Sequence, residues 1–253
     1  MSSSDTTNGD TTDRSFWSKA SKSPLDLDAK KAFQERRQGQ FVGDEPRLLL
    51  AQSARQVLQH AATSLAEDEV IARAADLIAQ AAEILESGPH GRSYHGSAEG
   101  ALGGAPHGFI SYSPVTGPLN ALASMVSLES SDHEITATVT YGSAYEGPPG
   151  CLHGGLIAAI FDEVLGFAQA LSGAPGMTGR LEVTYRSPTP LHVPLRVTGR
   201  FDGVQGRKIM TSGEIYAGDR LCAEAVGTFI SVKAEKFAQL NQERQRHDAA
   251  DPD

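Results

Sequence analysis

The chain has 253 residues, with 22 Lys and Arg against 31 Asp and Glu and a formal net charge of −9. With a pI near 5.4, that balance excludes a general nucleic-acid binder, which needs a clustered basic surface, but leaves room for a local basic pocket that takes an anionic ligand. Two cysteines, Cys151 and Cys222, exclude a disulfide scaffold and suit a reducing compartment.

Residues 1–45 are rich in Ser, Thr, Asp, Lys and Gln, with isolated aromatics at Phe16, Trp17, Phe33 and Phe41. Such a head cannot bury enough apolar area to offset chain entropy and reads as disordered, its aromatics free to dock on the domain or a partner. It has no apolar stretch after a basic segment, and three Asp precede Arg14. It is therefore read neither as a secretory signal nor as a transit peptide. No apolar run reaches the roughly 18 residues of a membrane span. A cytoplasmic protein without membrane insertion is expected.

Residues 46–87 read as a helical hairpin. Leu50, Ala54, Val57, Leu58 and Ala61 recur at helical spacing, Ser64 and Glu67 have the spacing of a capping box, and Val70, Ala74, Leu77, Ile78, Ala81 and Leu85 resume the pattern. The Ala-rich stripe is too thin for a core of its own, so the hairpin is expected to pack on the main domain or a second copy. Residues 88–107 carry six Gly and read as a linker, with no strand before them and no phosphate-binding glycine pattern. The spacing of His90, His95 and His107 fits no metal-ligand motif, so no metal is expected. From 234 to 253 the chain is a polar tail.

The informative region is 108–233. A strand is expected near 121–129. Ile135, Ala137, Val139 and Tyr141 then alternate with threonines as a half-buried strand. After a long helix come strands at 181–185, around Val193, Leu195 and Val197, at 207–217 and at 220–232, separated by Pro, Gly and Asp turn signals. The order is two strands, one helix, four strands.

The helix follows GPPGCLHGG (147–155). Leu156, Ile157, Ile160, Val164, Phe167, Ala168 and Leu171 fall on one side, a wide apolar face fit to be wrapped by a sheet. Asp162 lies opposite, among the small residues Gly155, Ala158, Ala159 and Gly166 and beside Gln169. The glycine-rich helix start offers unpaired N–H groups to a substrate oxygen, and a carboxylate on the same face adds a base or nucleophile. Together they make the parts for acyl-group hydrolysis, set against a merely solvated Asp and an ordinary turn.

His-Gly-Gly with Asp162 nine residues after His153, followed by MTGRLEVTYRSP (177–188), resembles the hotdog-fold acyl-CoA thioesterases of the phenylacetate-pathway (PaaI-like) type. The nearest branch contains the carboxyl-terminal-modulator-like thioesterases. The runs SPVTGPLNALA (113–123), YEGPPGCLHGG (145–155) and VQGRK (204–208) also resemble it. The resemblance covers 108–233 and implies an α+β hotdog fold. In that fold a long central helix is wrapped by a curved antiparallel sheet, here of about five or six strands and preceded by the hairpin. It implies a homodimer or higher oligomer with interface active sites, acyl-CoA as substrate and no cofactor.

Carried over, His153, Gly154 and Gly155 match the loop and helix start, with the Gly155 N–H as the expected donor to the thioester carbonyl. Asp162 matches the acidic catalytic residue, as base or nucleophile. Thr178 matches a polar residue that orients the water or the Asp. Many members carry an Asn six residues before the His, where this chain has Gly147. His153 is read as a loop- or interface-fixing ring rather than an acid or base. A Cys151–His153 pair lacks a third orienting residue, and Glu163 is read as a structural partner. Thr178, Arg180, Glu182, Thr184 and Arg186 share a strand face if no bulge intervenes. Arg186, Arg207 and Lys208 are candidates for the coenzyme A phosphates, against a reading as ordinary exposed strand charges. Two other functions stand beside hydrolysis. A hydratase would carry Asp and His five residues apart, which is absent here. The other is a non-catalytic acyl-CoA sensor or interaction scaffold.

Overall fold

A computed structural model describes residues 45–89, 111–124, 126–131, 133–174 and 176–232, with four further positions in the C-terminal tail. All of the expected disordered head but Glu45, and the three linker histidines, lie outside the described residues. The hairpin forms as helices α1 (Glu45–Ala61) and α2 (Asp68–Glu86). Pro46 sits in the first turn of α1, where its missing N–H costs no hydrogen bond. The capping box does not form. Glu67 occupies the N-cap of α2 without a side-chain bond, and Ser64 Oγ instead accepts from the Ala66 N–H at 3.3 Å, closing a local turn before the helix.

Six strands follow: β1 (Val126–Ser130), β2 (Glu134–Val139), β3 (Gly176–Tyr185), β4 (Leu195–Gln205), β5 (Lys208–Ala217) and β6 (Arg220–Ser231). All pairs are antiparallel, in the order β1-β2-β4-β5-β6-β3. Helix α3 (Gly154–Ala170) lies in the concave side of this sheet, the α+β hotdog arrangement. The expected strand at 121–129 begins only at Val126. Asn120 holds the residues before it in a turn, its Oδ1 accepting from the Leu122 N–H at 2.9 Å and its carbonyl from the Ala123 N–H at 3.2 Å.

The core lies between α3 and the sheet. Ile160, Val164 and Leu165 are fully buried against Ile135, Val197, Ile209 and Ile215. Phe161 and Leu165, outside the expected apolar face, are also fully buried, so the sheet wraps more of α3 than its stripe suggested. The helix comes close to the sheet at Gly199 and Gly213, paired across β4 and β5. A β-carbon at Gly199 would sit 2.9 Å from the Val164 carbonyl oxygen, and one at Gly213 would stand 3.0 Å from Leu165 Cδ2. Two glycines side by side let the helix settle onto the strands.

Helix α1 is fastened to this domain. The Arg55 guanidinium donates to the Pro118 carbonyl at 2.5 Å, and Gln59 Oε1 accepts from the Ala144 N–H at 3.1 Å. Helix α2 buries no residue, and Val70, Leu77, Ile78 and Leu85 remain exposed. Among the described residues no helix is long and apolar enough to cross a membrane.

Candidate active site

The loop entering α3 is tied down from both sides. The Gly147 N–H donates to the Cys151 carbonyl at 2.9 Å, the Leu152 N–H to Thr189 at 2.8 Å and the His153 N–H to Tyr145 at 3.0 Å. A β-carbon at Gly147 would lie 2.8 Å from His153 Cα. The loop is therefore closed around a residue without a side chain, which accounts for the departure from the family's Asn.

His153 is the N-cap of α3, and its Nδ1 accepts from the Gly155 N–H at 3.0 Å. An accepting Nδ1 places the proton of the neutral ring on Nε2. The expected oxyanion donor is thus engaged by the ring in this structure, while the Gly154 N–H has no partner among the described residues. The Tyr185 hydroxyl donates to the Gly154 carbonyl at 3.0 Å, and its ring lies 3.6 Å from where a Gly154 β-carbon would stand. Periodicity assigned Tyr185 only to a strand face, and the one signal of this contact is the missing side chain at Gly154.

Asp162 lies exposed on the outer face of α3, and the Thr178 hydroxyl donates to its Oδ1 at 2.8 Å. A bulge makes this pair possible. The register of β3 on β6 slips between Thr178 and Arg180, so Thr178 faces Phe229, whose side chain is buried. The extra residue, Gly179, turns Thr178 to the helix side with Leu181, Val183 and Tyr185, and leaves Arg180, Glu182 and Thr184 on the other face. The single face expected for Thr178 through Arg186 is therefore broken at its first member.

Glu163, the neighbour of Asp162, turns inward. Its Oε1 accepts from Ser113 Oγ at 2.5 Å and from Thr116 Oγ1 at 2.6 Å. Burial pushes its carboxyl above the ordinary value, the two hydroxyls oppose this, and the Asp162 charge adds to it. This is the structural role expected, with both partners in the 113–123 run. Gln169, expected on the open side, is buried, and its Oε1 has no hydrogen-bond partner among the described residues.

The three candidate phosphate cations do not converge within the chain. Arg186 pairs with Glu224 at 2.5 Å, and its N–H donates to Cys222 near the start of β6. The Arg207 guanidinium reaches the Ser231 carbonyl at 3.3 Å, at the far end of β6, with Lys208 beside it. Cys222 and Ser231 are nine residues apart, roughly 30 Å along an extended strand. Sharing a sheet does not bring side chains together when they sit at opposite ends of its strands. Among the described residues no group of three or more His, Cys, Asp or Glu could hold a metal ion.

The profile of the thioesterase superfamily matches residues 149–224, from the loop before α3 into β6. Acyl-coenzyme A thioesterase THEM4 of Bos taurus is 32% identical over 114 residues, covering 44% of this chain and 47% of the bovine protein. Its Mus musculus counterpart is 37% identical over 97 residues, covering 38% and 42%. The chain thus spans less than half the length of these relatives. A solved thioesterase superfamily protein is 36% identical, with a TM-score of 0.64 over 73% of this chain and 94% of that one. With the wrapped helix, the loop and the Asp162–Thr178 pair in place, this likeness over nearly a whole solved protein shows that the chain belongs to the thioesterase superfamily.

Proposed function

We propose that the chain hydrolyses acyl-CoA thioesters to a free acid and coenzyme A, at a site shared by two copies of the chain. The observation that carries this reading is the 2.8 Å bond from Thr178 to Asp162 on an exposed face that also bears the amide-rich start of α3. Thr178 engages Oδ1, which leaves Oδ2 for the incoming group. As a base, Asp162 takes a proton from water while the water oxygen bonds to the thioester carbon. As a nucleophile, it forms an acyl anhydride that water then opens. In either route the C–S bond breaks and coenzyme A leaves as a thiolate that takes up a proton. Charge gathering on the carbonyl oxygen is received at the helix start, where the Gly155 N–H becomes available as the His153 ring turns aside.

Asp162 lies seven residues beyond Gly155, about 10.5 Å along the helix, a long span for one carbonyl and one water to bridge, which favours a site completed by a second copy. The edge strand β3 offers the surface for it. It ends the sheet, with Met177 47% and Tyr185 55% exposed. Two β3 strands paired antiparallel would set the Arg186 end of one beside the Met177 end of the other. Arg186 would then approach the Arg207 and Lys208 of the second copy, gathering the three cations for the coenzyme A phosphates.

The test is thiol release from short, medium, long and aromatic acyl-CoAs by wild type and Asp162→Asn. Turnover of at least one ester, with a loss of about 10²-fold or more in the variant, is expected. Equal turnover would remove Asp162 from the chemistry. Binding of the esters without thiol release by wild type would give the site to the sensor reading.

A further inference from the structure

We propose that the cleft between α1 and the turn linking β2 to α3 is a second ligand site, for a small organic carboxylate with an apolar body. The cleft holds about 460 Å³, within the range of small-molecule sites. None of Asp162, Thr178, His153, Gly154 or Gly155 lines it.

Its chemistry departs from the rest of the surface. The chain carries a net charge of −9, yet the described lining residues include no Asp or Glu and three basic side chains, Arg55, His60 and His192. The walls between them are mostly carbon, with Thr140 and Gln59 adding polar atoms. One guanidinium and two imidazoles above carbon-lined walls that carry no carboxylate suit a ligand with an anionic head and a hydrocarbon or aryl body.

The rim is built rather than incidental. His192 is the one non-glycine among the described residues with a left-handed backbone, at φ 61°. A residue with a β-carbon stays there only when its surroundings hold it. Its N–H donates to the Tyr141 carbonyl at 2.8 Å, and its Nε2 lies 3.0 Å from Ser143 Oγ. Arg55 is fixed by its bond to Pro118, and burial lowers its pKa, a sign that the guanidinium is partly withdrawn from water.

The cleft also touches the loop of the active site. Tyr145 lines it, with its hydroxyl donating to Leu122 at 2.9 Å, while its own carbonyl holds the His153 N–H at 3.0 Å. An occupant pressing on Tyr145 therefore bears on the cap of α3. This coupling rests on the hydrolase reading; binding itself does not.

Calorimetric titration of the full chain with sodium octanoate tests the site, with octanol as the neutral control of equal length. Saturable binding of octanoate and none of octanol is expected. Affinity should fall on the order of tenfold in Arg55→Gln/His60→Gln and be unchanged in Asp162→Asn. The bound state should also shift the His153 amide resonance. His60 is exposed on α1, so His60→Ala keeps the test decisive if the double variant does not fold, with a loss of about threefold. Equal binding of octanol, displacement by equimolar inorganic phosphate, affinity unmoved by the cleft variants, or loss of binding in Asp162→Asn would each overturn the proposal. Because binding is read without turnover, failure of the hydrolase reading leaves this result standing, and the reverse.

Discussion

Replacing Glu163 tests whether the inward carboxylate anchors the 111–120 segment to the central helix. Ser113 is 2% and Thr116 5% exposed, and both hydroxyls donate to the one Oε1. Glu163→Leu leaves two buried hydroxyls without that acceptor, at about 1–3 kcal/mol each, partly offset because the carboxylate no longer has to be desolvated. The expected loss is about 2–5 kcal/mol. Glu163→Gln keeps an accepting oxygen and exchanges two charge-assisted bonds for neutral ones while relieving the same desolvation, so it should stay within about 1 kcal/mol of wild type. The pH dependence follows from the raised carboxyl. Its folded pKa stands above the ordinary value of 4.5. Its contribution to stability is thus fully present below that value and lost as pH rises through the folded one. Wild-type stability relative to Glu163→Gln should therefore decline with rising pH in the window that opens near 4.5. Urea unfolding followed by circular dichroism across that range, with m held constant, measures both effects. A leucine variant within about 0.5 kcal/mol of wild type, or a difference flat in pH, would refute the reasoning.

Two further substitutions address the loop and its support. Gly147→Asn restores the residue common in the family, but its β-carbon would stand 2.8 Å from His153 Cα. It should lower kcat/KM about tenfold or more, read by thiol release, and a gain in rate would show that the loop has room. Tyr185→Phe removes the donor to the Gly154 carbonyl but keeps the ring. Melting should reveal a stability change within about 1 kcal/mol, while kcat falls several-fold with KM little changed, as expected of a residue that positions the helix start.

The elements legible in the sequence were those whose side chains repeat at the period of their own backbone. The alternation of Ile135, Ala137 and Val139 and the stripe from Leu156 to Leu171 depend only on which faces are buried, so strand order and helix came through. What failed depended on single contacts. Asn120 caps a turn and delays β1 to Val126, and Ser64 bonds Ala66 instead of the start of α2. Periodicity also cannot see an inserted residue. Gly179 reverses the phase of β3 at its fourth position, and that reversal carries Thr178 to Asp162. The Asp162–Thr178 pair was thus named by resemblance, while its cause, a bulge, became visible only in the register. The separation of Arg186 from Lys208 likewise lies in strand lengths and pairing, which composition and spacing do not encode.

The distance between the two halves of the site leads to the last prediction. If Asp162 of one copy serves the helix start of another, two defective chains can rebuild a working site between them. Asp162→Asn removes the carboxylate. Gly155→Pro removes the N–H at a first-turn position, where proline is compatible with helical geometry. Each variant alone has both of its sites impaired. In a mixed dimer, one site combines both defects, and the other pairs an intact Asp162 with an intact Gly155. Random pairing of equal amounts makes about half of the dimers mixed, each with one working site of two, so about a quarter of wild-type thiol release should return on coexpression. If base and oxyanion donor belonged to the same copy, no pairing could join the intact halves, and the mixture would release thiol no faster than the average of the two variants. Recovery near a quarter therefore supports the shared site, and its absence in dimers verified as mixed would refute it.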